Sequence, residues 1–334
     1  MPKYEIPSFA EIISLDNLFA SWNEFRQDKK TKADVILFSA NLIANLLKLE
    51  QELKTGLYRH GPYYHFKISD PKPRDIHKAL VRDRVVHHAL YRALYPYFER
   101  LFIFDSYSCR LKKGTHRALQ RLAKLAGQES QNQTLAISVL KGDIRKCFAS
   151  IDHQILKAIL ARQIKDPKTM NLLNGVIDSF SPDGKKVGLP LGNLTSQLFV
   201  NVYLNELDRF IKHQLKEKYY LRYTDDFVIL SRDQERLKNL IPQINLFLAN
   251  NLKLTLHPTK VLVKTFSSGI DFLGWVHFFN HRVLRTVTKK RMFTKIKEQP
   301  IPTIINSYLG LLKHGHAFKL QERIRKLKNV DASP

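Results

Sequence analysis

Two apolar, aromatic-rich runs at 219–223 and 227–231 are separated by only Thr224, Asp225 and Asp226. So short a polar break between strand-like runs predicts a tight hairpin with Asp225 and Asp226 at its tip. Ordinary turn chemistry also favours Asp there, because its carboxylate accepts backbone hydrogen bonds, and for a lone Asp-Asp that reading is sufficient. Adjacent like charges held between hydrophobic strands, however, are unfavourable unless something cationic neutralises them. A pair of divalent ions would do so.

A second carboxylate points the same way. The run 134–142 reads as a strand that ends by delivering Asp143, while Asp152 reads as the N-cap of a following helix. Asp143 alone also fits a turn. A strand end that faces an acidic hairpin is, however, a natural metal site. Small, hard Mg²⁺ prefers oxygen ligands and keeps waters that substrate phosphates can replace. Two such ions about 4 Å apart activate a hydroxyl and stabilise a leaving pyrophosphate.

Charge shows what such a site would serve. The 334-residue chain has a formal net charge of +25, with 55 Lys and Arg against 30 Asp and Glu. Residues 54–125 carry 16 Lys and Arg against 5 Asp and Glu, and residues 281–334 carry 13 against 3. Two basic arms therefore flank a nearly neutral middle that holds the carboxylates, a layout suited to gripping a polyanion on both sides of a cation-binding centre. Charge by itself would also fit a ribosomal-type scaffold or an anionic membrane surface. Cys109 and Cys147 form no CxxC pair, which argues against a zinc site or a disulfide framework and for a reducing compartment. With no signal-like N-terminus and no long apolar run, the expectation is a cytoplasmic protein with no membrane span.

The periodicity predicts helices over 8–26, 31–55 (closed by Gly56), 82–100, 115–126, 153–164, 168–180, 195–217 and 234–250, and a mainly helical, basic last fifty residues. A short hairpin is expected within 57–69, and strands at 134–142, 219–223, 227–231, 253–256, 261–266, 271–279 and 282–287. With no internal repeat or low-complexity linker, the parts should pack as one body. The fold class is α+β, with helices on one face of a mostly antiparallel sheet.

The two acidic segments also carry a resemblance. Asp143 with the aromatic Phe148 five residues on, followed by Tyr223-Thr224-Asp225-Asp226, resembles motifs A and C of reverse transcriptases. Pro73-Arg74 with Arg82-Asp83-Arg84-Val85-Val86-His87-His88-Ala89-Leu90, and then Ser108-Cys109-Arg110-Leu111-Lys112-Lys113-Gly114-Thr115-His116-Arg117-Ala118, are similar to the two fingers motifs of the bacterial enzymes. Gly188-Leu189-Pro190-Leu191-Gly192-Asn193-Leu194-Thr195-Ser196-Gln197 is similar to motif B, His257-Pro258-Thr259-Lys260 to motif D, and Phe272-Leu273-Gly274-Trp275 to the primer grip. The ordered set spans roughly 57–320 and is far more specific than any one motif.

The resemblance implies a right-hand polymerase with an antiparallel palm sheet backed by helices, divided into an N-terminal helical extension (1–56), fingers (57–133), palm (134–280) and a basic helical thumb (281–334). It implies that Asp143, Asp225 and Asp226, with the Ile144 carbonyl, hold two Mg²⁺, or Mn²⁺ in their place. Arg110 and Lys113 would meet the incoming triphosphate, although single basic residues are usually just solvated charge. Phe148 would exclude a nucleotide 2′-hydroxyl by bulk; without Asp143 nearby in sequence, core packing would be the better reading. Lys260 would protonate pyrophosphate, where a lone Lys after a strand is more often surface charge. Leu191 and Gly192 would face the nascent base pair, and Phe272, Leu273 and Gly274 the primer. Partners implied are a template RNA, a DNA or RNA primer and deoxynucleoside triphosphates.

Within the family, many relatives carry Pro-Gln-Gly and Ser-Pro in motif B. Leu191 before Gly192, together with Ser196-Gln197, resembles instead the reverse transcriptases of diversity-generating retroelements, which implies error-prone copying and a small helical accessory protein. A retron-type or phage-defence enzyme copying a noncoding RNA shares the same core. A nonenzymatic RNA-binding protein is disfavoured by the intact aspartates and Lys260, and an RNA-dependent RNA polymerase by Phe148.

Overall fold

The computed structural model describes residues 5–69 and 73–330. The outermost residues of the expected extension and thumb, 1–4 and 331–334, lie outside the described residues. The chain divides into two compact units. The first comprises residues up to 104 together with 144–216 and 244–256, and the second comprises 105–143, 217–243 and the chain from 257 onward. The chain crosses between the two units several times, without any linker that composition would reveal.

The first unit is mainly helical. Its elements are α1 (Phe9–Ile13), α2 (Leu15–Arg26), α3 (Ala33–Ala40), α4 (Leu42–Lys54), the hairpin β1 (Tyr64–Ile68) with β2 (Arg74–Lys78), and α5 (Val81–Leu101). In chain order the next helix, α6 (Thr115–Glu129), and strand, β3 (Ser138–Asp143), belong to the second unit. The first resumes with α7 (Cys147–Ser150), α8 (His153–Gln163), α9 (Pro167–Asp178) and α10 (Leu194–Arg209), which runs on as a π-turn over Phe210–Gln214. The core forms where α5 packs against α2 and α10. Val86, Leu90 and Leu94 recur at helical spacing on α5 and are wholly buried, as are Leu18 and Trp22 of α2 and Tyr203 and Leu204 of α10.

The second unit holds the main sheet. Strands β4 (Tyr220–Tyr223), β5 (Asp226–Ser231), β3 and β6 (Leu262–Thr265) lie side by side in the order β4-β5-β3-β6, all antiparallel. Helix α11 (Gln234–Leu252) leaves this sheet and ends in the first unit. A smaller antiparallel sheet joins β7 (Ile270–Phe272), β8 (Trp275–His277) and β9 (Arg282–Leu284), and three helices follow: α12 (Thr286–Glu298), α13 (Pro302–Leu312) and α14 (Phe318–Val330). Helix α6 is strongly amphipathic, and Ala118, Leu119, Leu122, Leu125 and Ala126 line one stripe. That stripe shares one apolar cluster with Val139, Leu221, Val228, Phe272, Trp275, Met292 and Ile324. The cluster makes α6 the backing of β4 and β5 and ties the small sheet and the last helices to the same core.

Several local expectations are corrected. The helix expected over 8–26 is broken at Ser14, whose extended backbone ends α1 and whose hydroxyl caps α2 by accepting from the Asn17 amide. The one expected over 31–55 breaks at Asn41, which leaves helical geometry, while Gly56 does take the left-handed conformation beyond its C-cap (φ 72°). In 57–69 there is one strand, and its partner comes from 74–78. The strand expected from 134 begins at Ser138, because the Thr134 and Leu135 amides still bond back to the Gln131 and Ser130 carbonyls just past α6. Residues 253–256 give an isolated bridge between Ile144 and Leu256 in place of a strand. The run 271–279 is cut in two by Leu273 and Gly274, both at positive φ. Among the described residues no helix is long and apolar enough to cross a membrane.

Candidate active site

The acidic hairpin forms as expected. β4 and β5 pair from Tyr220–Ile229 down to Tyr223–Asp226, so the turn consists of Thr224 and Asp225 alone. Thr224 sits at φ 54°, a region a β-branched residue rarely enters. On its other side β5 pairs with β3, and the last register pair sets Asp143 directly opposite Asp226. Facing residues of an antiparallel pair carry Cβ atoms about 5 Å apart. Three aspartates from two segments far apart in sequence are thus placed at one end of the sheet.

What lets β3 deliver Asp143 is the residue before it. Gly142 pairs with Phe227, and a Cβ built on Gly142 would lie 2.2 Å from the Phe227 ring. The far end of the ring lies against the glycine, and the side chain is buried. No larger residue can occupy 142 without displacing it.

Like charges directly opposite one another on a sheet are destabilising, and the consequence is visible at Asp226. Burial, with the negative charges of Asp225 and Asp143, raises its carboxyl from 3.8 to about 6 against the pull of Lys141 and Lys260. The Lys260 ammonium lies 3.0 and 3.1 Å from the two carboxylate oxygens of Asp143. The motif that carries Lys260 is itself fastened to β3, since the His257 amide donates to the Asp143 carbonyl at 2.7 Å. Among the described residues no three His, Cys, Asp or Glu side chains converge closely enough to hold an ion as they stand. Asp143 is turned to Lys260 instead. The backbone positions and the hard oxygen donors nonetheless fit a divalent ion: Asp143 and Asp226 face each other, Asp225 is next to them, and the charge they accumulate is only partly offset by two lysines.

The expected triphosphate contacts are on the segment before α6. Arg110 donates from Nη1 to the Ser106 carbonyl at 2.7 Å, and the Lys113 ammonium lies 4.7 Å from the centre of the Tyr107 ring. Residues 105–107 run beside β4, with the Arg222 amide donating to the Asp105 carbonyl and the Tyr107 amide to the Arg222 carbonyl, both at 2.9 Å. The loop and the acidic hairpin are therefore one hydrogen-bonded structure.

Phe148, Leu191 and Gly192 belong to the first unit, where backbone hydrogen bonds hold their segments. The Phe148 carbonyl accepts from the Leu189 amide at 2.8 Å, and the Leu191 carbonyl accepts from the His77 amide at 3.0 Å. Gly192 adopts φ 106°, a conformation that favours glycine, and a Cβ there would press on Ile76 at 3.0 Å. Phe148 and Leu191 are half-buried. Ile144 is wholly buried, with its backbone in the bridge to Leu256.

At the expected primer grip, Phe272 is wholly buried in the cluster of the second unit, so its ring anchors the turn and does not reach outward. Leu273 (φ 50°) and Gly274 (φ 86°) form the two-residue tip between β7 and β8. Sequence reasoning assigned no role to Gly142 or Arg222. A glycine inside an otherwise apolar strand, one residue before an acid, was a usable signal for the first. Nothing in the sequence distinguishes Arg222 from surface charge, yet it is wholly buried.

Comparison with known proteins agrees with this geometry. Residues 69–277 match the family described as reverse transcriptase (RNA-dependent DNA polymerase). The chain is 27% identical to protein YkfC of Escherichia coli (strain K12), over 75% of this chain and 74% of that one. It is 26% identical to the group II intron-encoded protein LtrA of Lactococcus lactis subsp. cremoris, over 84% of this chain but 55% of the relative. Among solved structures it is similar to telomerase from Candida tropicalis in complex with a fragment of telomeric RNA, with TM-score 0.52, 12% identity, and coverage of 75% of this chain and 51% of that one. That likeness shows the fold, a right-hand polymerase of helices and antiparallel sheets. With an acidic hairpin facing a third aspartate, and a family match over well more than half its length, the chain belongs to the reverse transcriptase family of RNA-dependent DNA polymerases.

Proposed function

We propose that this protein copies an RNA template into DNA, extending a primer 3′-hydroxyl with deoxynucleotides at Asp143, Asp225 and Asp226. The observation that carries the reading is the register pair of Asp143 with Asp226 beside the Thr224-Asp225 turn. These three carboxylates, with the Ile144 carbonyl, would hold two Mg²⁺, or Mn²⁺ in their place. Such a pair lowers the pKa of the attacking hydroxyl and neutralises charge on the leaving group. Arg110 and Lys113 bind the triphosphate oxygens. Lys260 gives its proton to the departing pyrophosphate as a general acid, and Asp143 holds its ammonium in place beforehand. Phe148 excludes the ribose 2′-hydroxyl, Gly192 lets the backbone approach the nascent base pair, and the Leu273-Gly274 tip contacts the primer. The net charge of +25 supplies the sequence-independent grip on template and primer. In this reading 57–133 serve as fingers, 134–280 as palm and 281–334 as thumb, behind a helical extension.

The subgroup reading rests on motif B. Leu191, half-buried beside Gly192, offers the base pair no amide contact, and its loss of polar grip loosens nucleotide selection. With Ser196-Gln197 it favours a diversity-generating retroelement enzyme working with a small helical accessory protein. The test is primer extension on an RNA template with Mg²⁺, with Asp225→Asn/Asp226→Asn as control. Extension that the double variant abolishes is expected; a wild-type protein that extends no primer with either metal overturns the reading. For the subgroup, Leu191→Gln should lower misincorporation opposite template adenine, and an unchanged frequency refutes it.

A further inference from the structure

We propose that Arg222 is a positioning residue that couples the triphosphate-binding loop to the catalytic hairpin; the proposal rests on the polymerase reading above. Its guanidinium is fully buried. Arginine is almost never buried without hydrogen-bond partners, because its desolvation is so unfavourable. Here Nη1 donates to the Thr224 carbonyl at 3.1 Å and Nη2 to the Ser106 hydroxyl at 3.2 Å. The first acceptor is the peptide that leads into Asp225. The second belongs to the residue whose carbonyl receives the Arg110 guanidinium at 2.7 Å.

A continuous chain of hydrogen bonds therefore runs from Arg110 through Ser106 and Arg222 to Thr224. Parallel links reinforce it. The Thr224 hydroxyl donates to the Ser108 hydroxyl at 2.5 Å, and the Thr115 hydroxyl donates to the Tyr223 phenol at 3.1 Å. The near end of the loop is pinned by Arg121, which grips Asp105 at 2.7 and 2.9 Å. Thr224 is held at φ 54°, a strained conformation for a β-branched residue that persists only where its surroundings impose it. Arg222 on its carbonyl and Ser108 on its hydroxyl impose it. When a triphosphate draws on Arg110, the pull reaches the turn that aims Asp225 and Asp226, so the carboxylates settle into working geometry as the nucleotide arrives. Lysine cannot substitute: one ammonium on a flexible stem lacks the planar fork that serves two acceptors in fixed directions.

The test uses the full chain with RNA template and DNA primer, and the variants Ser106→Ala, Thr224→Val and Arg222→Lys. Single-nucleotide incorporation should show kcat reduced about tenfold to a hundredfold by Ser106→Ala and by Arg222→Lys, as expected when catalytic groups are slightly misplaced. Affinity for primer–template should stay unchanged. The double variant should be no worse than the weaker single one, since both cut the same link. Hydrogen exchange supplies a readout apart from turnover: deoxynucleotide added to the wild-type complex should slow exchange across 222–227, and Ser106→Ala and Thr224→Val should abolish that protection while folding normally. A purely structural arginine would lower thermal stability and leave the nucleotide-dependent protection intact. That result, or kcat values matching wild type in an enzyme that extends primers, overturns the relay alone. A wild-type chain that extends no primer overturns the polymerase reading and the relay with it.

Discussion

Both carboxylate oxygens of Asp143 lie within 3.1 Å of the Lys260 ammonium. Lys260 is nearly half exposed, so the pair adds little to stability, and in the proposed function its value would lie in placing a proton donor at the carboxylates. Lys260→Met should leave the unfolding midpoint unchanged and reduce the rate of nucleotide incorporation by about 10²-fold, the usual scale for losing a general acid. Lys260→Arg separates two roles. Arginine preserves the ion pair but does not release a proton, so it should be as slow as Met. An arginine variant of wild-type rate would mean that Lys260 acts as a counter-ion alone. Rapid-quench incorporation measured beside thermal unfolding decides between them.

Gly142→Ala tests how Asp143 is delivered. The added Cβ would lie 2.2 Å from the Phe227 ring, and that ring is itself buried, so something must shift to admit it. Overpacking of this kind destabilises by about 1–3 kcal/mol. The ring must swing or the strand end must shift, and either moves Asp143 relative to Asp226. A lower denaturation midpoint with a large loss of incorporation is expected. Full activity at reduced stability would show that the strand end tolerates the shift.

These two residues illustrate how much the sequence disclosed. Asp225 and Asp226 were legible because two apolar runs separated by three residues admit little besides a hairpin. Asp143 was legible because an apolar run ended on it. Gly142 and Arg222 were not, because their roles depend on what lies across the sheet: a ring from β5 over one, a loop from before α6 around the other. The same holds at element ends. Ser14 and Asn41 break expected helices through capping and backbone geometry, and Leu273 takes a left-handed conformation that no leucine advertises. The hydrophobic period reports which face is buried, and it is silent about where the chain turns.

Stability should fall in acid partly through His277. Burial, with the positive charge of Arg282, lowers its pKa from 6.5 to about 4, against a hydrogen bond to the Phe272 carbonyl and the charge of Asp271. In that window the unfolded chain binds the proton and the folded chain does not, so the contribution is complete above pH 6.5 and is lost as pH falls towards 4. Its size is at most about 3 kcal/mol for a group this buried. Asp226 acts with the opposite sign between 3.8 and about 6, since its raised carboxyl makes the folded state the better proton binder there. The comparison must therefore be differential. His277→Leu should flatten the decline of the urea midpoint between pH 7 and 5 relative to wild type while leaving the Asp226 contribution in place. Parallel curves for the two proteins would place the acid sensitivity elsewhere.

Sugar selection gives the remaining prediction. Phe148 is half-buried on the single-turn helix α7, and its carbonyl is fastened to the Leu189 amide, so its backbone is held. In the proposed role, bulk in that position would act by excluding a hydroxyl, and removing it would admit the larger sugar without requiring any new attractive contact. Phe148→Val should therefore raise ribonucleotide incorporation by about tenfold or more, with deoxynucleotide incorporation reduced far less, because the carboxylates and the triphosphate loop are untouched. The informative quantity is the ratio of kcat/KM for the two nucleotides on one RNA template. If that ratio stays at its wild-type value while the variant folds and extends primers, the Phe148 ring is packing and the selection against ribose is made by another group.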